Sequence, residues 1–124
     1  MAASVLIVDD DSVFRGLARR ILTANGLDVV GEAESIEAAV AAADALRPDA
    51  VLLDVMLPDG DGVAFAGELT ALPWKPRVVL TSSYDGPASK EELERSGAIA
   101  FVPKPDLPTA PLERLLGGPP AAPD

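Results

Sequence analysis

Five short, largely apolar runs, each feeding a polar or turn residue and each separated by a stretch of helical spacing, leave this chain few ways to fold. The runs are Val5-Leu6-Ile7-Val8, Leu27 to Val30, Ala50 to Leu53, Arg77 to Leu80 and Ile99 to Val102. An unbroken apolar run bounded by turn signals, as in Val51-Leu52-Leu53 before Asp54, predicts a strand buried on both faces, typical of a parallel sheet. Between the runs, Phe14, Leu17, Ala18, Ile21 and Leu22 recur at helical spacing. Asp11 or Ser12 is placed to cap that helix, and Asn25-Gly26 to end it. Ser35 caps a second helix from Ile36 to about Leu46, stopped by Pro48. A third helix is expected from about Val63 to Leu72. A fourth opens at the capping box Ser89-Lys90-Glu91-Glu92, and a short last one carries Leu112, Leu115 and Leu116. Strand and helix thus alternate five times, which predicts an α/β fold: a doubly wound parallel sheet with helices on both faces and right-handed crossovers. Residues 1–116 read as one domain, and 117–124, beginning Gly117-Gly118-Pro119-Pro120, as a flexible tail or the start of a linker.

All strands of a parallel sheet end on one edge, where open α/β sheets hold their ligands. Asp9, Asp10, Asp54, Thr81 and Lys104 each stand at or just past such an end. Three carboxylates brought together repel one another, and a hard divalent cation relieves that repulsion. Mg²⁺ suits a site with few carboxylates plus water and phosphate oxygens. The lysine and the hydroxyl would remain to hold an anion, and a carboxylate is present as nucleophile. The pattern therefore predicts a phosphoryl site. Taken singly, each residue has a plainer reading: Asp9 to Asp11 as helix caps, Asp54 as a turn acid, Lys104 as a surface lysine. Those readings do not account for all five at one edge.

Composition excludes several alternatives. With no histidine, the chain has no histidine base or phosphohistidine of its own, and with no cysteine it has no disulfide framework. A net charge of −10 opposes nucleic-acid binding by this domain. Its apolar runs are too short to span a bilayer, and Met1-Ala2-Ala3-Ser4 does not resemble a signal peptide, so no membrane association and a cytoplasmic location are expected. Asp59-Gly60-Asp61-Gly62 lacks the downstream glutamate of a calcium loop. It also lacks the preceding strand of an aspartate-nucleophile phosphatase.

Leu6-Ile7-Val8-Asp9-Asp10, Leu53-Asp54-Val55-Met56-Leu57-Pro58-Asp59-Gly60-Asp61-Gly62, Val79-Leu80-Thr81-Ser82 and Phe101-Val102-Pro103-Lys104-Pro105 resemble, together and in order, the receiver domains of bacterial two-component response regulators. The resemblance covers about residues 4 to 116 and implies a flavodoxin-like sheet of strand order 2-1-3-4-5. It implies that Asp54 accepts a phosphoryl group from the phosphohistidine of a sensor histidine kinase or a histidine phosphotransfer protein. Asp10, Asp54 and the backbone carbonyl of Met56 are then the Mg²⁺ ligands, with Asp9 acting through water. Lys104 pairs with the phosphoryl group, and Thr81 and Phe101 are the switch pair. The chain is then a signalling switch, self-phosphorylating and self-dephosphorylating, and not a turnover enzyme. The face of the fourth helix, fifth strand and fifth helix would dimerise or meet an output domain. Pro105, Pro108 and Pro111 crowd that last helix and put the usual dimer mode in doubt. Two alternatives stand beside this reading: a degenerate receiver that only binds partners, and a flavodoxin-like cofactor-binding protein. Asp9-Asp10-Asp11 stands where the latter needs a phosphate loop.

Overall fold

The computed structural model describes residues 2–83 and 90–117. Five strands form one parallel sheet: β1 Ser4–Val8, β2 Asp28–Ala33, β3 Ala50–Asp54, β4 Arg77–Ser82 and β5 Ala100–Pro103. Their order is β2-β1-β3-β4-β5, as the resemblance implies. The helices are α1 Ser12–Ala24, α2 Ile36–Leu46, α3 Gly62–Thr70, α4 Lys90–Ser96 and α5 Leu112–Gly117.

The three central strands, β1, β3 and β4, are buried on both faces, their successive side chains pointing opposite ways into two core layers, whereas the edge strands β2 and β5 are only partly buried. Val5 and Ile7 pack with Leu52, Val79 and the α1 residues Phe14, Ala18 and Leu22, under α5. Leu6 and Val8 pack the other way, with Val51, Leu53, Ala39 of α2 and Phe65 and Leu69 of α3. Each fully buried Val or Leu contributes about 1.5–3 kcal/mol of transfer free energy, so the two layers hold the central strands rigidly.

Local signals set the helix ends. Asp11 caps α1, its carboxylate accepting the N–H groups of Val13 at 2.9 Å and Phe14 at 3.3 Å. Ser35 Oγ accepts the Ala38 N–H at 3.1 Å and starts α2. That helix ends on Arg47, whose left-handed φ of 45° takes it out of the helical region disfavoured before Pro48. The expected box at Ser89 lies outside the described residues, as does most of the 117–124 tail.

Three expectations shift. Strand β2 runs to Ala33, past Val30, because Gly31, Glu32 and Ala33 also pair with β1. Helix α3 starts on Gly62, behind the Asp61 cap, and ends at Thr70. Its last side chain bonds back to the carbonyls of Ala66 and Gly67. After β5 the prolines make a 3-10 segment, Lys104–Thr109, and leave α5 only six residues.

Candidate phosphoryl-transfer site

The sheet register builds the site. Val8 lies beside Leu53 in the parallel pair β1–β3, so Asp9 and Asp54 emerge next to each other at the carboxyl edge. Asp54 is level with Thr81, and Thr81 with Val102, so Lys104 follows two residues beyond that line. The crevice lies where the strand order reverses between β1 and β3. It has a volume of about 360 Å³ and is lined by Asp10, Asp54, Met56, Ser82 and Lys104 among others. Two larger hollows lie elsewhere. One of about 750 Å³ opens at the opposite edge of the sheet. One of about 530 Å³ sits between α2 and α3 beside Trp74. Neither gathers a nucleophile with clustered carboxylates, so the chemistry belongs to the smaller crevice.

Asp9 is fully buried. Its Oδ1 accepts the Asp11 N–H at 2.9 Å. Its Oδ2 has no directed hydrogen bond, although the Lys104 ammonium lies 2.8 Å away. Asp54 is 5% exposed. Its Oδ1 accepts the Met56 N–H at 3.1 Å, and its Oδ2 lies 3.6 Å from Lys104 Nζ. Burial pushes the Asp54 carboxyl up to about 6, and the adjacent Asp9 charge adds to this against the pull of the Met56 N–H and Lys104. Burial opposes the charge on Lys104 too, but Asp9, Asp54 and Asp11 outweigh it and hold its pKa above the ordinary value. Asp10 is exposed on the rim, and Asp9, Asp10 and Asp54 each offer a carboxylate oxygen within 4.8 Å of the others.

These features fit a hard cation. Three hard oxygen donors gathered within 4.8 Å, two of them buried and one resisting ionisation, carry more negative charge than Lys104 alone offsets and leave electrostatic room for one.

Thr81 and Phe101 do not face the crevice. The fully buried Thr81 hydroxyl donates to the Val102 carbonyl at 2.7 Å, and Phe101 packs half-buried against the core layer of α2 and α3.

Other contacts at the site carry no local sequence signature. Arg15 Nη1 donates to the Asp9 carbonyl at 2.6 Å. Arg15 and Arg19 also share Glu32 of β2, each at 2.9 Å. Burial pushes the Glu32 carboxyl up, but Arg19 and Arg15 together bring it below its ordinary range. Beyond Asp54, Met56–Leu57 and Gly60–Asp61 form a two-residue antiparallel ribbon. From its turn the Asp59 carboxylate accepts the N–H groups of Ile36 at 2.8 Å and Glu37 at 3.0 Å, at the start of α2. The ribbon closes on Gly62, where any Cβ would stand 2.1 Å from the Asp54 carbonyl oxygen.

The chain is similar to known proteins in sequence and in fold. The model of the response regulator receiver domain family matches residues 5–114. The chain is 31% identical over 115 residues to the chemotaxis protein CheY of Thermotoga maritima, covering 93% of this chain and 96% of that protein. It is 37% identical over 110 residues to a protein-glutamate methylesterase/protein-glutamine glutaminase of Hahella chejuensis, covering 86% of this chain. The chain spans about a third (31%) of that longer protein. The signal receiver domain of the Mycobacterium tuberculosis response regulator NarL superposes with a TM-score of 0.80 at 31% identity, covering 95% of this chain and 98% of that one. In sequence and in fold, the chain belongs to the response regulator receiver domains of two-component systems.

Proposed function

We propose that Asp54 is the phosphoryl acceptor of an Mg²⁺-dependent switch. The observation that carries this is the packing of Asp54 against Asp9 and Lys104 in one crevice, with its carboxyl raised to about 6. A carboxylate oxygen of Asp54 attacks phosphorus, and the bond from phosphorus to the donor's imidazole nitrogen breaks as the new oxygen–phosphorus bond forms. The donor is a sensor histidine kinase or a histidine phosphotransfer protein. The Met56 N–H fixes the rotation of the nucleophile, so that one oxygen is held and the other is offered. Lys104 faces the charge gathering on the phosphoryl oxygens. Asp10, Asp54 and the Met56 carbonyl would hold Mg²⁺ directly, and Asp9 through water. Bound there, the cation would neutralise phosphoryl charge and favour in-line displacement.

Thr81 is the element that responds. Its hydroxyl is held by Val102 at 2.7 Å, one strand away from the crevice. Turning it to a phosphoryl oxygen breaks that bond, and Phe101, adjacent to Val102, moves inward. The change is read on the α4–β5–α5 side by an output domain or a partner. Residues 1–116 suffice as the working unit, and the reaction is placed in the cytoplasm. No helix among the described residues is long and apolar enough to cross a membrane. Residues 117–124 are assigned as tail or linker.

The test is intact-protein mass after incubation with acetyl phosphate, with and without Mg²⁺. One added phosphoryl group that requires Mg²⁺ and is lost in Asp54→Asn is the expected result. An Mg²⁺-independent adduct, or one that persists in Asp54→Asn, overturns the assignment. No adduct from acetyl phosphate or from phosphohistidine donors favours the interaction-only receiver.

A further inference from the structure

The Lys104 ammonium is held on two kinds of surface. Towards the acids it lies 2.8 Å from Asp9 and 3.6 Å from Asp54. It also stands 4.1 Å from the centroid of the Phe14 ring. Phe14 is 8% exposed and the Lys104 side chain 15%, so the contact is largely shielded from water. A cation within about 6 Å of an aromatic face is attracted by the ring quadrupole, most strongly where water is excluded.

Phe14 is held from two sides, by its helix and by the core. It lies in the first turn of α1, and its N–H is bound by the same Asp11 carboxylate that caps the helix. It belongs to the core layer with Ala18, Leu22 and Leu107. Leu107 lies in the 3-10 segment that Lys104 begins. Ring and lysine are thus fixed by elements that pack on each other.

We propose that Phe14 is a positioning residue for Lys104, its ring face giving the ammonium a seat that does not depend on a carboxylate. This rests on the assignment of Asp54 as acceptor and goes beyond it. A lysine held only by Asp9 and Asp54 would have to leave part of its support when Asp54 gains a phosphoryl group. With the ring beneath it, the ammonium stays in place while its second partner changes from a carboxylate to a phosphoryl oxygen. A leucine at position 14 would fill similar space but present no quadrupole.

The test separates the ring's chemistry from its bulk. Nuclear magnetic resonance of the metal-free wild type, without phosphodonor, should show the Lys104 ε-methylene protons shifted upfield by the ring. Phe14→Leu should abolish the shift and Phe14→Tyr retain it. Phosphorylation by acetyl phosphate at saturating Mg²⁺ should slow about three- to tenfold in Phe14→Leu and stay within about twofold of wild type in Phe14→Tyr. Equal slowing in both variants, or no upfield shift in the wild type, overturns the proposal. So does a Phe14→Leu variant that phosphorylates at the wild-type rate. Thermal unfolding of each variant checks that it is folded, and if Phe14→Leu is not, the wild-type shift and the Phe14→Tyr rate still decide. Failure of the wild type to be phosphorylated at all would instead refute the acceptor assignment, and the shift measurement is independent of it.

Discussion

Replacing Asp54 by asparagine should make the metal-free protein more stable at neutral pH. The carboxyl is raised from 3.8 to about 6, first by burial and then by Asp9. One unit corresponds to about 1.4 kcal/mol, so ionised Asp54 costs the folded state about 3 kcal/mol at pH 7. Asparagine has nearly the same shape, can keep the bond from the Met56 N–H and carries no charge. A gain of about 1–3 kcal/mol is expected, moving the urea midpoint up by about 1 M. The sign with pH follows from the direction of the shift. An acid whose pKa is higher folded than unfolded binds its proton more tightly in the folded state. Its favourable contribution is complete below about pH 4 and is lost as pH rises through about 6. The gap between variant and wild type should therefore be widest at pH 7 and close by about pH 4. The assay is urea unfolding in a chelator at several pH values. Adding Mg²⁺ should narrow the gap, because a cation bound to the folded wild type stabilises it by mass action. A variant no more stable than wild type at pH 7, or a gap unchanged between pH 7 and pH 4, would refute the electrostatic account of the site.

Lys104→Ala should destabilise the metal-free protein by about 3 kcal/mol, because it strands the buried Asp9 charge. Mg²⁺ should recover much of that loss in a thermal melt while phosphorylation no longer changes partner binding. A melt that Mg²⁺ leaves unmoved would count against the shared electrostatics. Gly62→Ala should cost about 3 kcal/mol or more in urea unfolding, since its Cβ would overlap the Asp54 carbonyl and crowd Val55. A wild-type midpoint would show that the loop yields freely. Asp59→Ala should speed amide hydrogen exchange at Ile36 and Glu37 selectively. These two N–H groups hold the Asp59 carboxyl below its ordinary range, so its contribution is present above about pH 4 and fades as pH falls further. Unchanged exchange at pH 7 would rule out the clamp.

The features legible in the sequence are those with a local cause. Val5 to Val8 and Ala50 to Leu53 are buried on both faces, and a run of that kind declares itself without any partner. Asp11 and Ser35 act as caps through atoms two or three residues away. The edge that gathers Asp9, Asp10, Asp54 and Lys104 follows from parallel strands alone. What was not legible depends on distant pairs. Gly31-Glu32-Ala33 is not an apolar run, and it becomes strand because β1 lies beside it and Arg15 and Arg19 reach its glutamate. Asp59, set aside with a misleading calcium-loop pattern, acts on backbone more than twenty positions earlier. Phe14 fits a helical stripe whether or not a lysine rests on it. The turn of the Thr81 hydroxyl toward the Val102 carbonyl is a choice of rotamer, which no spacing encodes.

The two walls of the crevice are held in different ways. On the α1–α2 wall, Arg15 grips the Asp9 carbonyl, Glu32 ties α1 to β2, and Asp59 pins the ribbon to α2. On the β4–β5 wall, Thr81 is held by one hydroxyl bond to a carbonyl. A group added in this crevice would thus meet, on the α1–α2 side, a wall whose backbone is tied through three elements, α1, β2 and α2. The ties of the α1–α2 wall and the Thr81 bond share no residue, so either could change in sequence without dismantling the other.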